Sequence, residues 1–252
     1  MTSSSNTLPL AGKVAFVTGG SRGIGAAIVR RLAADGAAVA FSYSSSPSPA
    51  DELARSIEAA GGRAIALRID SADAAALKAG IDQAAATLGR LDILVNSAGV
   101  LHLGTVDQLS LEDFDHTIAV NVRAVFVATQ AAVAHMERGG RVVNIGSTNA
   151  ERMPFAGGSI YAMSKSALMG LVQGLARDLG PRGITVNNVQ PGPVDTDMNP
   201  ADGPMASTMH SFMAIDRHGR PEEVAGMVAY LAGPEAGFVT GAGLNIDGGF
   251  AA

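Results

Sequence analysis

Three side chains in the middle of the chain have the types needed to pass a proton to an oxygen: Ser147, Tyr161 and Lys165. Tyr161 and Lys165 stand four residues apart, so on a helix their side chains share one face. A phenol with its ordinary pKa of about 10 is a poor base at neutral pH, but a nearby ammonium stabilises the phenolate. Ser147 follows Arg141 to Ile145, a run of strand type, and so stands where a strand ends. A Tyr–Lys pair at this spacing is common by chance. Its position after a strand-end hydroxyl, and after a glycine-rich turn near the start of the chain, is not.

That turn is Thr18-Gly19-Gly20-Ser21-Arg22-Gly23-Ile24-Gly25, set between an apolar run and a helical pattern. Glycines let backbone amides approach a pyrophosphate, and a helix N-terminus adds partial positive charge. The spacing is G-x-x-x-G-x-G rather than G-x-G-x-x-G, and a merely tight strand–helix turn is the plain alternative. The tip of the second strand reads Phe41-Ser42-Tyr43-Ser44-Ser45-Ser46, with no carboxylate for a ribose 2′-hydroxyl. Asp51 comes too late and reads as opening the next helix. Arg22 and the serines could instead hold a 2′-phosphate, which favours NADP; a solvated Arg is the other reading. Asn96-Ser97-Ala98-Gly99 ends a fourth buried run, and ligands of open parallel sheets sit beyond such ends. Taken alone, an ordinary turn explains it as well.

The elements that must position these groups alternate along the chain. Strand candidates are Val14 to Thr18, Ala37 to Tyr43, Ala64 to Arg68, Ile93 to Asn96, Arg141 to Ile145, Thr185 to Val189 and Leu244 to Ile246. They are nearly continuous apolar runs, as in strands buried on both faces. Helical patterns lie between them at Ile24–Ala34, Asp51–Ala60, Ala74–Leu88, Leu111–Met136, Tyr161–Leu179 and Pro221–Ala232. Ser110 precedes the acidic turn Glu112-Asp113, and Pro221 precedes Glu222-Glu223, both helix-start signals. Gly36, Gly61, Gly89 and Gly180 stand just past helix ends, where a left-handed residue terminates a helix. The alternation predicts an α/β fold: a single doubly wound parallel-sheet Rossmann domain with helices on both faces. Residues 1–9 read as a flexible arm and 194–216 as a small substrate lid. The methionines Met198, Met205, Met209 and Met213 with Phe212 suit a flexible apolar cover, or ordinary packing.

Composition excludes several function classes. Of 252 residues 47% are hydrophobic and 16% charged, which supplies a large core and rules out disorder of the body. Cysteine is absent, so there is no disulfide, thiolate metal site or Cys nucleophile. The five histidines, His102, His116, His135, His210 and His218, show no ligand spacing, so surface or core placement is expected and no metal. A net charge of -5 without a Lys/Arg run argues against nucleic acid. Met1 to Thr7 is polar, and Val120 to Met136 is interrupted by Asn121, Arg123, Gln130 and His135, short of the roughly 20 residues a membrane helix needs. A cytoplasmic protein off the membrane is the expectation.

With these motifs assembled in order, the chain resembles the short-chain dehydrogenase/reductase family from about Lys13 to Gly249. The family's glycine motif falls on Gly19, Gly23 and Gly25, and its Asn-Asn-Ala-Gly motif on Asn96, Ala98 and Gly99, with Ser97 in place of the second Asn. The resemblance implies a catalytic set of Asn121, Ser147, Tyr161 and Lys165. It also implies a cofactor-binding set of Gly19, Ser21, Arg22, Gly23, Ile24, Gly25, Tyr43, Ser44, Ser45, Asp70, Ser71, Asn96, Ala98, Gly99, Tyr161, Lys165, Pro191, Gly192, Val194 and Thr196. In those roles Tyr161 exchanges the proton, Lys165 lowers its pKa and binds the nicotinamide ribose, and Ser147 stabilises the alkoxide. Asn121 positions a water, and Asp70 meets the adenine.

The expected activity is reduction of a ketone or 3-oxo ester or thioester with NADPH. Within the family the chain is similar to 3-oxoacyl and carbonyl reductases and to a cyclic-di-GMP-binding biofilm-dispersal branch. The second likeness rests on Gly146-Ser147-Thr148-Asn149, Arg152-Met153-Pro154 and Asn199 to Met205, and makes a regulatory binding protein the rival reading. Two long helices apolar around much of their circumference need cover on more than one side. With the resemblance this implies a homotetramer, in which Phe250-Ala251-Ala252 joins a second interface.

Overall fold

The computed structural model describes residues 8–252. Its centre is one seven-stranded parallel sheet of order β3-β2-β1-β4-β5-β6-β7. The strands are β1 (Val14–Thr18), β2 (Ala38–Tyr43), β3 (Ala64–Arg68), β4 (Ile93–Asn96), β5 (Arg141–Ile145), β6 (Thr185–Pro191) and β7 (Gly243–Ile246). Strand order reverses between β1 and β4, opening a crevice beyond their carboxyl ends. The inner strands β1, β4, β5 and β6 are buried throughout, as their apolar runs predict. The outer strands β3 and β7 are only partly covered, because each has a strand neighbour on one side alone.

Helices α1 (Gly23–Ala34), α2 (Pro47–Ala59) and α7 (Pro221–Ala232) cover one face, and α3 (Ala74–Leu88), α5 (Ala124–Val133) and α6 (Ser159–Leu179) the other. One core holds Val17, Phe41, Ile28 and Val228; the second holds Phe16, Leu94, Ile81 and Val172. Alternate residues of β1 feed opposite cores, which fixes its register against β2 and β4. Each fully buried large side chain contributes about 1.5–3 kcal/mol relative to exposure.

Several boundaries differ from the sequence reading. Helix α2 opens at Pro47 rather than Asp51, because Pro47 at its first position needs no intrahelical N–H partner. The Ser/Pro-rich stretch is therefore the helix start and not only a loop. The long helix expected over Leu111–Met136 is three pieces: α4 (Leu111–Ile118), a π-helical turn over Ala119–Arg123, and α5. Ser110 caps α4 in a reciprocal box with Asp113, as its sequence position suggests. Gly36, Gly61 and Gly89 are left-handed, but Gly180 is not. The chain past α6 makes a further 3-10 turn over Gly180–Arg182, and Gly183 takes the left-handed conformation at φ 72°. Of the arm expected over residues 1–9, Met1 to Thr7 lie outside the described residues, while Leu8 and Pro9 begin a turn closed by Ala11 N–H on the Leu8 carbonyl.

Candidate active site

The carboxyl ends of the strands border a cleft of about 1040 Å³ running from the glycine turn to the start of α6. Ser147 sits at the end of β5 in extended backbone, buried, its hydroxyl accepting from Asn149 N–H at 3.1 Å. Tyr161 and Lys165 are one turn apart in α6, with the Lys165 ammonium 5.7 Å from the Tyr161 ring centre. Lys165 is buried and donates to the Ile145 carbonyl at 2.9 Å, so β5 positions the ammonium as well as Ser147.

Burial lowers Lys165 to a pKa of about 8 and pushes Tyr161 up, while the Ser147 hydroxyl pulls Tyr161 back down. The expected lowering of Tyr161 by Lys165 is thus absent in the protein alone. Both charged forms lose hydration in the same pocket, and burial is the first cause of each shift.

Asn121 lies in the π-helical turn, which admits an extra residue and turns this side chain inward. Its Oδ1 accepts from Val100 N–H at 2.9 Å, and its Nδ2 donates to the Val100 carbonyl and to Ser164 Oγ, each at 3.0 Å. It joins the loop after β4 to α6. A methyl group at Gly99 would lie 3.6 Å from both Asn121 Oδ1 and Lys165 Nζ, so the polar groups converge on the backbone at Gly99.

At the other end of the cleft, a Cβ at Gly19 would stand 2.8 Å from Ala98 Cα, and one at Gly25 only 2.1 Å from the Gly19 carbonyl oxygen. Backbone alone fits there, leaving the start of α1 open; its first turn holds no acidic residue. Tyr43, Ser44 and Ser45 line the cleft at the tip of β2, and Arg22 lines it from the glycine turn with 64% of its side chain exposed. Arg22 Nη1 lies 4.0 Å from Asp197 of the segment 194–216. Arg68, at the end of β3, donates to the Ser44 carbonyl at 3.3 Å and braces that tip.

Of the expected cofactor residues, Gly19, Ser21 to Gly25, Tyr43 to Ser45, Asp70, Ser71, Ala98, Gly99, Pro191, Gly192, Val194 and Thr196 line the cleft with Tyr161 and Lys165. Asn96 does not. It is buried behind the wall, donating from Nδ2 to Asn144 Oδ1 at 2.8 Å, because β4 and β5 place the two side chains in register. Its part is to tie the sheet together beneath the turn.

Three residues take places that the sequence reading did not assign them. Phe250 lines the cleft and is buried within its own chain, packed edge to face on Phe212, so it is unavailable for the second interface expected of the C-terminus. Arg152 lies 5.9 Å from both of those rings and donates to the Phe250 carbonyl at 2.5 Å, tying the chain end to the loop after β5. His116 lines the cleft although no spacing rule marks it. The sequence marks Arg152 only within Arg152-Met153-Pro154, a stretch of family likeness, and gives no sign of its tie to the chain end.

A family model described as enoyl-(acyl carrier protein) reductase matches residues 19–251. The chain belongs to the short-chain dehydrogenase/reductase family. It is 54% identical over 241 residues to a cyclic-di-GMP-binding biofilm dispersal mediator protein of Escherichia coli, covering 96% of this chain and 98% of that one. It is 38% identical over 243 residues to a 3-oxoacyl-[acyl-carrier-protein] reductase of Synechocystis, covering 95% and 97%. A short-chain dehydrogenase from Burkholderia cenocepacia, solved in complex with NADP, is 56% identical with a TM-score of 0.96, covering 97% and 100%. As a short-chain dehydrogenase/reductase the chain is an oxidoreductase, and its doubly wound sheet is the fold of that family.

Proposed function

We propose that the protein reduces the carbonyl of a ketone, or of a 3-oxo ester or thioester, to a secondary alcohol with NADPH. The observation that carries this reading is that Ser147, Tyr161 and Lys165 line one cleft, Lys165 close to Gly99, and that its far end has the backbone-only glycine cradle. The relatives named for 3-oxoacyl reduction and for NADP support the substrate class and the cofactor.

The residues present fit a dinucleotide phosphate. Amides of Ser21 to Gly25 at the start of α1 would hold the pyrophosphate, and Arg22, Tyr43, Ser44 and Ser45 the 2′-phosphate. Asp70 and Ser71 would meet the adenine, and Lys165 the nicotinamide ribose. The cofactor supplies the hydride.

This chain's own residues handle the oxygen. Ser147 Oγ and the Tyr161 hydroxyl donate hydrogen bonds to the substrate carbonyl and favour the charge that develops on it. Tyr161 gives up its proton as that charge forms. Lys165, whose burial brings its pKa to about 8, is poised to stabilise the resulting phenolate and to pass a proton to it. Asn121 holds the Val100 backbone and Ser164, and so fixes the spacing between the Gly99 turn and α6. The segment 194–216, with Met198, Met205 and Met209 lining the cleft, is proposed as the lid that excludes water.

A homotetramer and a cytoplasmic location belong to the same reading. Phe126 on α5 and Met163 on α6 are 48% and 41% exposed, which supports a partner subunit over those helices. No helix among the described residues is long and apolar enough to cross a membrane.

The test is a spectrophotometric panel of ketones, β-keto esters and diketones that follows NADPH oxidation, with cyclic-di-GMP calorimetry on the same preparation. NADPH-dependent turnover is expected. The identity with the dispersal mediator favours a second reading, a cyclic-di-GMP-binding regulator. Micromolar binding of that dinucleotide with no carbonyl turned over would replace the first reading by the second.

A further inference from the structure

The cleft mouth carries a histidine that the proton-transfer machinery leaves unused. His116, exposed on α4, lines the cleft together with Leu101, Leu103 and Val120. Behind it, His102 in the loop after β4 places Nε2 3.0 Å from His116 Nδ1, the two rings edge to face. Behind His102, Asp113 Oδ1 stands 3.1 Å from Nδ1. Asp113 is itself fixed. Its Oδ2 accepts from the Ser110 N–H at 3.0 Å and from the Ser110 hydroxyl at 2.7 Å, and these bonds hold its carboxyl below the usual range.

A carboxylate can only accept, so the fixed end sets the direction of every proton along the row. With Asp113 Oδ1 3.1 Å from His102 Nδ1, the tautomer that carries its proton on Nδ1 is favoured over one that sets a lone pair beside the carboxylate. In that tautomer His102 Nε2 accepts, and the 3.0 Å contact then takes its proton from His116 Nδ1. With Nδ1 so engaged, His116 Nε2 is the ring's lone-pair nitrogen and has no protein partner among the described residues.

We propose that His116 Nε2 accepts a hydrogen bond from the substrate, so that the cleft selects ketones carrying a hydroxyl remote from the reacting carbonyl. Asp113 and His102 are positioning residues that hold the tautomer. Apolar Leu101, Leu103 and Phe155 along the cleft suit a flat hydrocarbon or aromatic body between the two polar ends. A methyl ether at the same place would displace water from Nε2 without replacing its hydrogen bond.

This inference rests on the ketone-reductase reading, and the experiment separates the two. Protein loaded with NADP⁺, which cannot reduce a ketone, is titrated calorimetrically with ortho-, meta- and para-hydroxyacetophenone and with the methyl ether of each. At least one isomer should bind about tenfold tighter than its ether, the ratio one hydrogen bond supports. His116→Leu should bring that ratio near one, His116→Gln should keep part of it through its amide oxygen, and His102→Ala should give an intermediate value. Equal binding of every isomer and its ether, a preference that survives His116→Leu, or no binding at all overturns the proposal. Turnover with NADPH is assayed separately. Discrimination without turnover keeps the His116 site and sinks the reductase reading; turnover without discrimination sinks the site alone.

Discussion

Tyr161 and Lys165 share a pocket that penalises both of their charged forms, and two expected outcomes follow. Tyr161→Phe keeps the packing of the ring and removes the proton donor, so turnover should fall about 10²–10⁴-fold with the NADPH dissociation constant nearly unchanged. A variant that kept half the rate under chemistry-limited conditions would sink the mechanism. Lys165 predicts a pH dependence of stability. Its pKa is about 8 in the folded protein against 10.5 for the free side chain. Between those values the unfolded chain binds more protons, so stability rises with pH, and below about 8 the buried ammonium costs its full penalty. A displacement of that size is worth about 3 kcal/mol. Tyr161, pushed upward, acts in the opposite sense and only above about 10. Urea unfolding of the apo protein from pH 7 to 10 should show the wild type gaining on Lys165→Met across this window. A flat difference would mean that Lys165 is not buried as a cation.

At the scale of elements, the π-helical turn between α4 and α5 matters most. It turns Asn121 into three hydrogen bonds that join the loop after β4 to α6, so the Gly99 turn and the Tyr–Lys pair are spaced by one side chain. Asn121→Ala leaves the Val100 amide and carbonyl without these partners, where each lost hydrogen bond costs about 1–3 kcal/mol. We expect a loss of about 2–4 kcal/mol in urea unfolding together with reduced kcat. Unchanged stability would mean that water replaces the amide without cost.

Cofactor choice and assembly are properties of the whole molecule. The tip of β2 lacks a carboxylate, and Arg22 of the glycine turn lines the same cleft. A charge-assisted hydrogen bond contributes about 1.5–3 kcal/mol, so NADPH should exceed NADH in kcat/KM by roughly 10–10²-fold. Tyr43→Asp or Ser44→Asp should lower NADPH efficiency far more than NADH efficiency, and Arg22→Ala should narrow the gap from the NADPH side. Steady-state kinetics with both cofactors checks this, and an NADH preference in the unmodified enzyme would refute it. Half-exposed Phe126 and Met163, with the partly covered outer strand β7, lead us to expect a tetramer in sedimentation at micromolar concentration. A monomer there would defeat that expectation.

The sequence by itself determined the α/β alternation, the single sheet and most of the residues around the cleft. Strands buried on both faces are read from local apolar runs, and a glycine turn or a Tyr–Lys pair is a short-range pattern. Only the tertiary structure decided what depends on which neighbours meet. Asn96 belongs to the motif at the end of β4, but pairing with β5 turns it into the sheet and away from the cleft. Leu111–Met136 reads as one helix because its apolar pattern runs on, whereas the break at Asn121 becomes visible only with Val100 and Ser164 beside it. Phe250 and Arg152 are about a hundred residues apart, and no periodicity connects them before the chain folds back. The row Asp113, His102, His116 has the same origin: three residues without ligand spacing, brought into line by α4 and the loop after β4. The pKa directions of Tyr161 and Lys165 were equally beyond the sequence, since desolvation is set by everything packed around a group and not by the residues next to it in the chain.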